Sequence, residues 1–575
     1  MRHISDTRAD LDCFEKSVLL RDSEENQKII RDFPTVYIHN WKNSSDYEVY
    51  IGESNDIFQR TRQHYDLSSN PKSWQSNLAK NRASLYIIGH EHFNKSLTLD
   101  VENRLYQYML SINHVKKVHN GRGNPQKNYY PSEEFEKIFE MIWRKLRGEN
   151  RDLFPTESAI KDSAIFKASP FHKLTDEQMQ AKELIIRTVN RVLDSGASNQ
   201  IVFIDGEAGT GKTVLNSSTF YDLYCEKESK NSEKDFKCYL LVNHDEQITV
   251  YKQIADKLGI TDNYGEVVCK PTSFINNHSI ECPVDVVFVD EAHLLLTQGK
   301  QSYQGKNQLE DIIKRARVTV VMFDENQILT TEQIWEAQLL SHYRELAKKA
   351  DTYFVLEKQL RMNVSDETLD WIDSFTKNRV LKTIPKDPDY SIVVFDSPEQ
   401  LDAEIMLKAK SSKTALSRII ATYDWEYSSI HEPGRMKKYW EVIIGEWHKP
   451  WNRELDAELD KKQRHANKRL AWAEQPQTIN EVGSTFTIQG FDLNYAGVIL
   501  GPSVKYRDGK IVFDPENSKN SKAVQNRTLS DGSKQSFGEN LIQHEVRVLM
   551  TRGVNGLYLF ACDPALRQAL KNASK

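Results

Sequence analysis

At 575 residues the chain is too long for one hydrophobic core and calls for roughly three or four domains. With 39% hydrophobic and 28% charged residues its composition is that of an ordinary globular protein. The formal charge of -5 excludes a chain that coats polyanions over its whole surface, while a local basic channel stays open.

No apolar run approaches the ~18 residues that span a bilayer, and the start "MRHISDTRADLDCFEKS" lacks the greasy centre of a signal peptide. A cytoplasmic protein with no membrane partner is expected. Cys13, Cys225, Cys238, Cys269, Cys282 and Cys562 form no C-x-x-C pair. Reduced, mostly buried thiols are therefore expected rather than disulfides or a zinc finger.

In chain order, residues 1–32 alternate charged and apolar positions and read as a helical lead-in. Residues 33–130 hold the extended runs "TVYIHN", "YEVYIG" and "SLYIIGHE" and the helical run "DVENRLYQYMLSI", which together make a compact α/β module. Between 33 and 150 there are 16 Lys and Arg against 13 Asp and Glu, a balance of +3. "KKVHNGRGNPQK" carries Lys116, Lys117, Arg122 and Lys127 and no acid. A connecting helix is predicted in "PSEEFEKIFEMIWRKLRGEN", within a linker over 131–165.

Beyond it, nine continuous apolar runs alternate with helical stretches: "IVFID", "CYLLVN", "VDVVFVD", "VTVVMFD" and "TYFVLE", then "SIVVFD", "SRIIATYD", "AGVILG" and "GLYLFAC". Strands apolar on both faces belong to helix-covered parallel sheets. The helical stretch after Arg361 divides them into two consecutive sheet domains, 166–365 and 366–575.

Within the second domain, "NRELDAELDKKQRHANKRLAWAEQP" predicts a solvated helix. "KYRDGKIVF" predicts a hairpin, and the polar stretch after it, in an insertion over 503–540, a mobile loop. The segment holding Tyr423, Trp425, Tyr427, Trp440, Trp447 and Trp451 with Arg435, Lys437 and Lys438 has two readings: a channel that stacks bases, or core for the second sheet.

"GEAGTGKT" (Gly206, Glu207, Ala208, Gly209, Thr210, Gly211, Lys212, Thr213) lies between a buried strand and a helical run. Its glycines let backbone N–H groups wrap phosphates, Lys212 reaches the terminal oxygens, and Thr213 offers a hydroxyl to magnesium. "VDVVFVDEAH" adds Asp290 for the magnesium shell and Glu291 to orient or deprotonate water.

The order of motifs resembles a superfamily 1 helicase, in particular the helicase-like NTPases grouped with Schlafen proteins. That resemblance implies an adenine-reading role for Gln178 in "KLTDEQ" and γ-phosphate sensing by Asp324 and Gln327 in "FDENQ". It also implies an arginine, Arg361, from "LEKQLRMN", a coupling motif with Gln489, Gly490 and Asp492, and a finger arginine, Arg552, in "VRVLMTRGVNGLYLF". Asp290-Glu291-Ala292-His293 departs from this pattern, being a box more usual in another helicase superfamily.

Thr35-Val36-Tyr37 and Tyr50-Ile51-Gly52, each at a strand end, followed by Arg60 and His64 at i and i+4 and by Glu102 on a later helix, resemble a GIY-YIG nuclease. The resemblance implies that Tyr37 and Tyr50 assist proton removal, Arg60 neutralises the phosphate and Glu102 holds Mg or Mn, with Asn120 or Asn124 at a late asparagine position. The initial glycine of the first motif is missing.

The expected fold is thus α/β, a small GIY-YIG-type domain followed by two tandem RecA-like parallel-sheet domains. The expected function is an ATP-dependent nucleic-acid motor or remodeller coupled to a metal-dependent endonuclease, using ATP and Mg2+ (or Mn2+) at both sites. DNA is the expected partner ahead of RNA, in bacterial repair, restriction or anti-phage defence by analogy. An NTP-gated switch without translocation, and a binding scaffold with an inactive front domain, remain alternatives. Oligomeric state is open.

Overall fold

The computed structural model describes all residues except 44–45, 67–72, 81–82, 121–131, 230–235, 300–302, 412, 429, 434–436 and 469. The chain divides into two compact units, one of Met1–Thr175 with Val214–Phe236 and Val250–Val267, the other of Asp176–Thr213, Lys237–Thr249 and Val268–Lys575.

The first unit is built on a five-stranded sheet in the order β1-β4-β2-β3-β5. Its strands are β1 (Arg2–Ser5), β2 (Thr35–Asn43), β3 (Asp46–Ser54), β4 (Ser84–Ile88) and β5 (Val115–His119). β2 runs antiparallel to β3 and β4, whereas β5 joins β3 in parallel. Both tyrosine motifs extend further than predicted, so Tyr37 and Tyr50 lie inside strands, with Tyr37 opposite Gly52 and His39 opposite Tyr50.

The purely helical lead-in gives way to a different arrangement. Residues 2–5 form an edge strand on β4, and Leu11, Phe14, Leu19 and Ile30 share one core with Tyr37, Tyr50 and Ile57. The charged positions disguise this: "RHIS" alternates in exposure, the period of an edge strand, and only the apolar residues after it turn helically inward. The predicted helix Phe135–Glu149 is present, and its Phe139 and Trp143 pack edge-on against Tyr108 of the helix Lys95–Ser111.

The second unit carries two all-parallel sheets. The first, ordered β11-β6-β10-β9-β7-β8, comprises β6 (Gln200–Gly206), β7 (Cys238–Leu241), β8 (Val268–Cys269), β9 (Val284–Val289), β10 (Ala316–Phe323) and β11 (Tyr353–Leu356). After the helix Asp366–Thr376 come β12 (Ser391–Val394), β13 (Arg418–Ala421), a hairpin of β14 (Glu441–Ile444) and β15 (Trp447–Pro450), then β16 (Val482–Gly483) and β17 (Leu493–Leu500). Two further hairpins, β18 (Val504–Arg507) with β19 (Lys510–Phe513) and β20 (Arg527–Thr528) with β21 (Lys534–Gln535), precede β22 (Gly553–Ala561). The second sheet is ordered β12-β22-β17-β13-β16. All nine apolar runs are strands, as expected of segments with both faces covered.

Two expectations are corrected here and one open alternative is decided. The stretch predicted as a mobile loop is organised by the β20–β21 hairpin and the turn Ser521–Val524: Ala523 is buried, and the buried Arg527 donates to Thr331 O (2.7 Å) and Thr297 O (3.4 Å). A polar composition hid a single buried arginine that ties the stretch to two backbone carbonyls. The aromatic segment is core: Trp447 and Trp451 belong to the second sheet's cluster, with Tyr423, Trp425, Tyr427 and Trp440 packed against it, while Arg435 lies outside the described residues. The solvated helix is broken, with a 3-10 turn at Glu454–Glu458 and a short helix at Lys461–Asn467.

No disulfide joins the six cysteines, and Cys238 alone of them is fully buried, fewer than predicted. Among the described residues no helix is long and apolar enough to cross a membrane.

Candidate functional site

Four loops leave the carboxyl ends of β6, β9, β10 and β11 on one edge of the first sheet, the edge where parallel α/β sheets gather ligand-binding groups. The β6 loop is Gly206–Thr213. Gly209 and Gly211 adopt φ of +90° and +79°, and a Cβ on Gly209 would stand 2.8 Å from the Arg361 Cβ, so side chains are excluded by conformation and by space. Lys212 Nζ donates to Gly206 O (2.6 Å) and Glu207 O (2.9 Å) and lies 3.7 Å from Asp324 Oδ2. Gln178, buried on the preceding helix, donates to Thr210 O at 3.0 Å.

At the end of β9, Thr213 Oγ1 donates to Asp290 Oδ2 (3.3 Å), and Gln247 Nε2 donates to the same oxygen (3.3 Å). Glu291 is held at φ +48°, an uncommon backbone for a residue with a side chain. Its buried Oε2 lies 3.5 Å from His293 Nε2 and has no hydrogen-bond partner among the described residues. Burial lowers the His293 pKa, which favours a neutral ring.

After β10, Gln327 Nε2 donates to Asp324 Oδ2 at 2.7 Å. Burial opposes the Asp324 charge, but Lys212, His293 and the Gln327 amide together hold its pKa below the usual carboxylate value. Gln489 Nε2 donates to Gln327 O (3.2 Å), and Gly490 follows it at φ +86°.

Arg552 is wholly buried at the start of β22, donating through Nε to Val548 O (2.8 Å), through Nη1 to Phe491 O (3.2 Å) and through Nη2 to Gln327 Oε1 (3.2 Å). Burial and then the neighbouring Arg361 charge push its pKa down to about 9, against the pull of Asp492, Glu291 and Asp324. Arg361 Nε lies 2.6 Å from Asp492 Oδ1. Arg552, Gln327, Asp324 and Lys212 therefore form one continuous polar chain from the second sheet to the phosphate loop.

Beside that chain opens a cavity of about 540 Å3, lined among others by Gly206, Glu207, Ala208, Thr210, Asp324 and Arg547. Its size is that of small-molecule sites, roughly 300–1,000 Å3.

In the first unit, a smaller cavity of about 160 Å3 gathers Tyr37, Tyr50, Arg60, Glu102, Tyr106 and Asn120. Tyr37 OH and His64 Nε2 are 3.0 Å apart. A Cβ on Gly52 would come within 2.5 Å of the Tyr37 hydroxyl, so that glycine makes room for the phenol across the strand pair. Tyr106 OH lies within hydrogen-bond distance of three acceptors that share its one proton, Ile51 O (2.6 Å), Asn120 O (2.5 Å) and Glu102 Oε1 (3.3 Å), and Asn120 Nδ2 donates to Ile51 O (3.0 Å).

Burial raises the pKa values of Tyr37 and Tyr50. Burial also works against the Arg60 charge, yet hydrogen bonds with the two phenols leave its pKa raised. Asn124 lies outside the described residues.

The sequence profile of the Schlafen group 3 DNA/RNA helicase domain matches residues 199–563. The chain belongs to that family. An uncharacterized protein of Saccharomyces cerevisiae, YPL245W, is 30% identical over 464 residues, covering 76% of this chain and 98% of its own length. Among solved structures, the arterivirus nonstructural protein 10 helicase is similar at 11% identity over 66% of this chain and 64% of that one, with a TM-score of 0.25. A structure of two coordinating Pif1 helicases at forked double-stranded DNA is similar at 10% identity over 69% and 94%, with a TM-score of 0.28. Likenesses of that size carry no further argument, and a yeast relative lends nothing to the bacterial setting expected above.

The match to the Schlafen group 3 helicase domain spans the phosphate loop, both sheets and Arg552, and ends before the last helix, Pro564–Ala573. The structure brings Gln178, Gly206–Thr213, Asp290, Glu291, Asp324, Gln327, Gln489 and Arg552 into one connected cluster, with Arg361 at its edge through Gly209. Sequence reasoning passed over Gln247, which shares Asp290, and Arg547, which lines the cavity. Gln247 lies in no recognised motif, and Arg547 shares the segment "VRVLMTRGVNGLYLF" with Arg552, where attention to the later arginine left it unmarked. In the first unit, Asp6 was also passed over: its buried carboxylate takes His39 Nδ1 at 2.6 Å and Tyr65 OH at 2.6 Å behind the tyrosine pair.

Proposed function

We propose that this helicase-family chain hydrolyses ATP to move along or remodel nucleic acid, and that its first unit is a metal-dependent endonuclease of GIY-YIG type. The observation that carries the first half is the buried chain from Arg552 through Gln327 and Asp324 to Lys212. A guanidinium beside the second sheet that reaches the phosphate-loop lysine through two intervening side chains couples hydrolysis to the relation between the two sheets.

In this reading the loop N–H groups and Lys212 hold the phosphates. Gln327 and Arg552 meet the charge that develops on the terminal phosphoryl oxygens, and Glu291, whose Oε2 has no hydrogen-bond partner among the described residues, orients the attacking water. Thr213 and Asp290 present two hard oxygen donors side by side, a set that suits magnesium; bound there, the ion would offset phosphate charge. Among the described residues no group of three or more His, Cys, Asp and Glu could hold a metal, so phosphate and water oxygens would complete the shell.

In the first unit, the cavity carries two carboxylates, Glu53, which pairs with Lys95, and Glu102, the hard donor that would hold Mg or Mn. His64 Nε2 stands ready to take the proton of Tyr37, whose own acidity burial has weakened. Arg60, beside both phenols, would pair with the scissile phosphate.

The deciding experiment measures ATP turnover by the full chain with magnesium, alone and with single-stranded DNA or RNA, together with displacement of a strand-bound obstacle and nicking of the same substrates. Strand-stimulated turnover with displacement is expected. Turnover indifferent to strands replaces the motor by an NTP-gated switch, and metal-independent binding without nicking replaces the nuclease by a scaffold.

A further inference from the structure

Glu207, the second residue of the phosphate loop, is an awkward neighbour for a polyphosphate: a carboxylate beside bound phosphate oxygens raises the energy of both. In the structure it is the loop's only link in a closed ring of alternating charges. Glu207 Oε2 lies 2.5 Å from Arg547 Nη2, the Arg547 Nη1 pairs with Asp373, Asp373 Oδ2 lies 2.8 Å from Lys377 Nζ, and Lys377 Nζ lies 2.7 Å from Glu207 Oε1. Asn326 Nδ2 adds a hydrogen bond to Glu207 Oε1 at 3.2 Å. Asp373 stands on the helix Asp366–Thr376, with Lys377 immediately after it, and Arg547 on the helix Gly538–Met550, so three members flank the second sheet while Glu207 reaches them from the first.

We propose that Arg547 and Lys377 are a second, cationic half of the phosphate site, and that the terminal phosphate of a nucleoside triphosphate displaces the Glu207 carboxylate from them. This rests on the nucleotide reading above and extends it to Lys377, outside the quoted motifs, and to Arg547, which shares the segment "VRVLMTRGVNGLYLF" with Arg552.

Three observations carry it. Arg547 lines the cavity that also contains Gly206, Ala208, Thr210 and Asp324, so its guanidinium faces the space next to the phosphate loop. The fork of Arg547 is divided, one arm held by Asp373 and the other by Glu207; if Glu207 leaves, the first arm still aims the second, which is then a charged N–H donor free to take one phosphate oxygen. Finally, the ring is neutral with Glu207 and carries one net positive charge without it. The Glu207 side chain is 48% exposed against 11% for Arg547, so the carboxylate is the weakly held partner that a more highly charged anion replaces.

The test is equilibrium binding of a non-hydrolysable ATP analogue and of ADP, with magnesium, to the full chain and to Glu207→Gln, Arg547→Gln, Lys377→Gln and the Glu207→Gln/Arg547→Gln double variant, each checked by thermal unfolding. Glu207→Gln is expected to tighten the triphosphate by about fivefold and ADP by less than about twofold. Arg547→Gln should weaken the triphosphate about tenfold more than ADP, with Lys377→Gln acting in the same direction on a more exposed residue. In the double variant the gain from Glu207→Gln should vanish, because the cation it unmasks is gone.

A Glu207→Gln protein that binds the triphosphate no better than wild type overturns the proposal, as does an Arg547→Gln protein that loses both nucleotides equally. Wild-type chain that binds neither nucleotide overturns the nucleotide reading itself, which is a separate result.

Discussion

Lys212 shows how far a single residue can be read from its neighbours in sequence. A lysine after Gly-x-Gly at a strand's end has few roles other than phosphate binding, and it does sit at the carboxyl edge of a parallel sheet, 3.7 Å from Asp324. Arg552 was legible by motif order alone. That its guanidinium would be fully buried, and would reach Lys212 through Gln327 and Asp324, depends on contacts more than two hundred residues apart. Arg552→Ala is expected to slow ATP hydrolysis by ~10³-fold or more while sparing ATP binding, measured as turnover against nucleotide affinity; weakened binding alone removes the finger role. Gly52 carries the corresponding prediction in the first unit. Its Cβ would meet the Tyr37 hydroxyl at 2.5 Å, so Gly52→Ala should cost roughly 1–3 kcal/mol of stability and abolish nicking. Normal nicking by that variant would remove Tyr37 from the reaction.

At the scale of elements, the nine apolar strands were legible because a strand covered on both faces has to be apolar throughout, although β11 and β12, at sheet edges, are only partly covered. The short edges β8 and β16 were not, since two residues carry no period. β16 has its own consequence for stability. Just before it, Glu481 is buried and takes hydrogen bonds from Trp472 Nε1 (2.5 Å) and Leu455 N (3.3 Å), yet burial pushes its pKa from 4.5 up to about 7. Over that interval the folded chain keeps a proton that the unfolded chain has released, so the contribution of Glu481 to stability falls as pH rises from 4.5 to about 7 and is level above it. Glu481→Gln, which cannot ionise, should therefore gain on wild type across that window by about 3 kcal/mol, read from denaturant unfolding at several pH values. A difference independent of pH would show that another group carries the titration.

For the whole molecule, the expectation is two chemistries that mutation can separate. Lys212→Ala should abolish ATP turnover, and Glu102→Ala should stop cleavage while turnover continues, each measured in both assays; loss of both activities in Glu102→Ala would mean that Glu102 has a structural task. Sequence alone determined the nine apolar strands of the two parallel sheets, the place of the glycine-rich loop after β6 and which residue types stand in motif order, because those depend on local period, backbone freedom and short-range chemistry. Only the tertiary structure decided that residues 2–5 complete the front sheet, that Trp447 and Trp451 are core, and that Arg527 pins a polar stretch in place. It alone placed Glu207 in a ring with Lys377, Asp373 and Arg547. The physical reason is common to all four: a charge or an aromatic ring on an isolated segment suits water, a ligand or a core equally well, and the choice rests with partners that the fold brings in from distant parts of the chain.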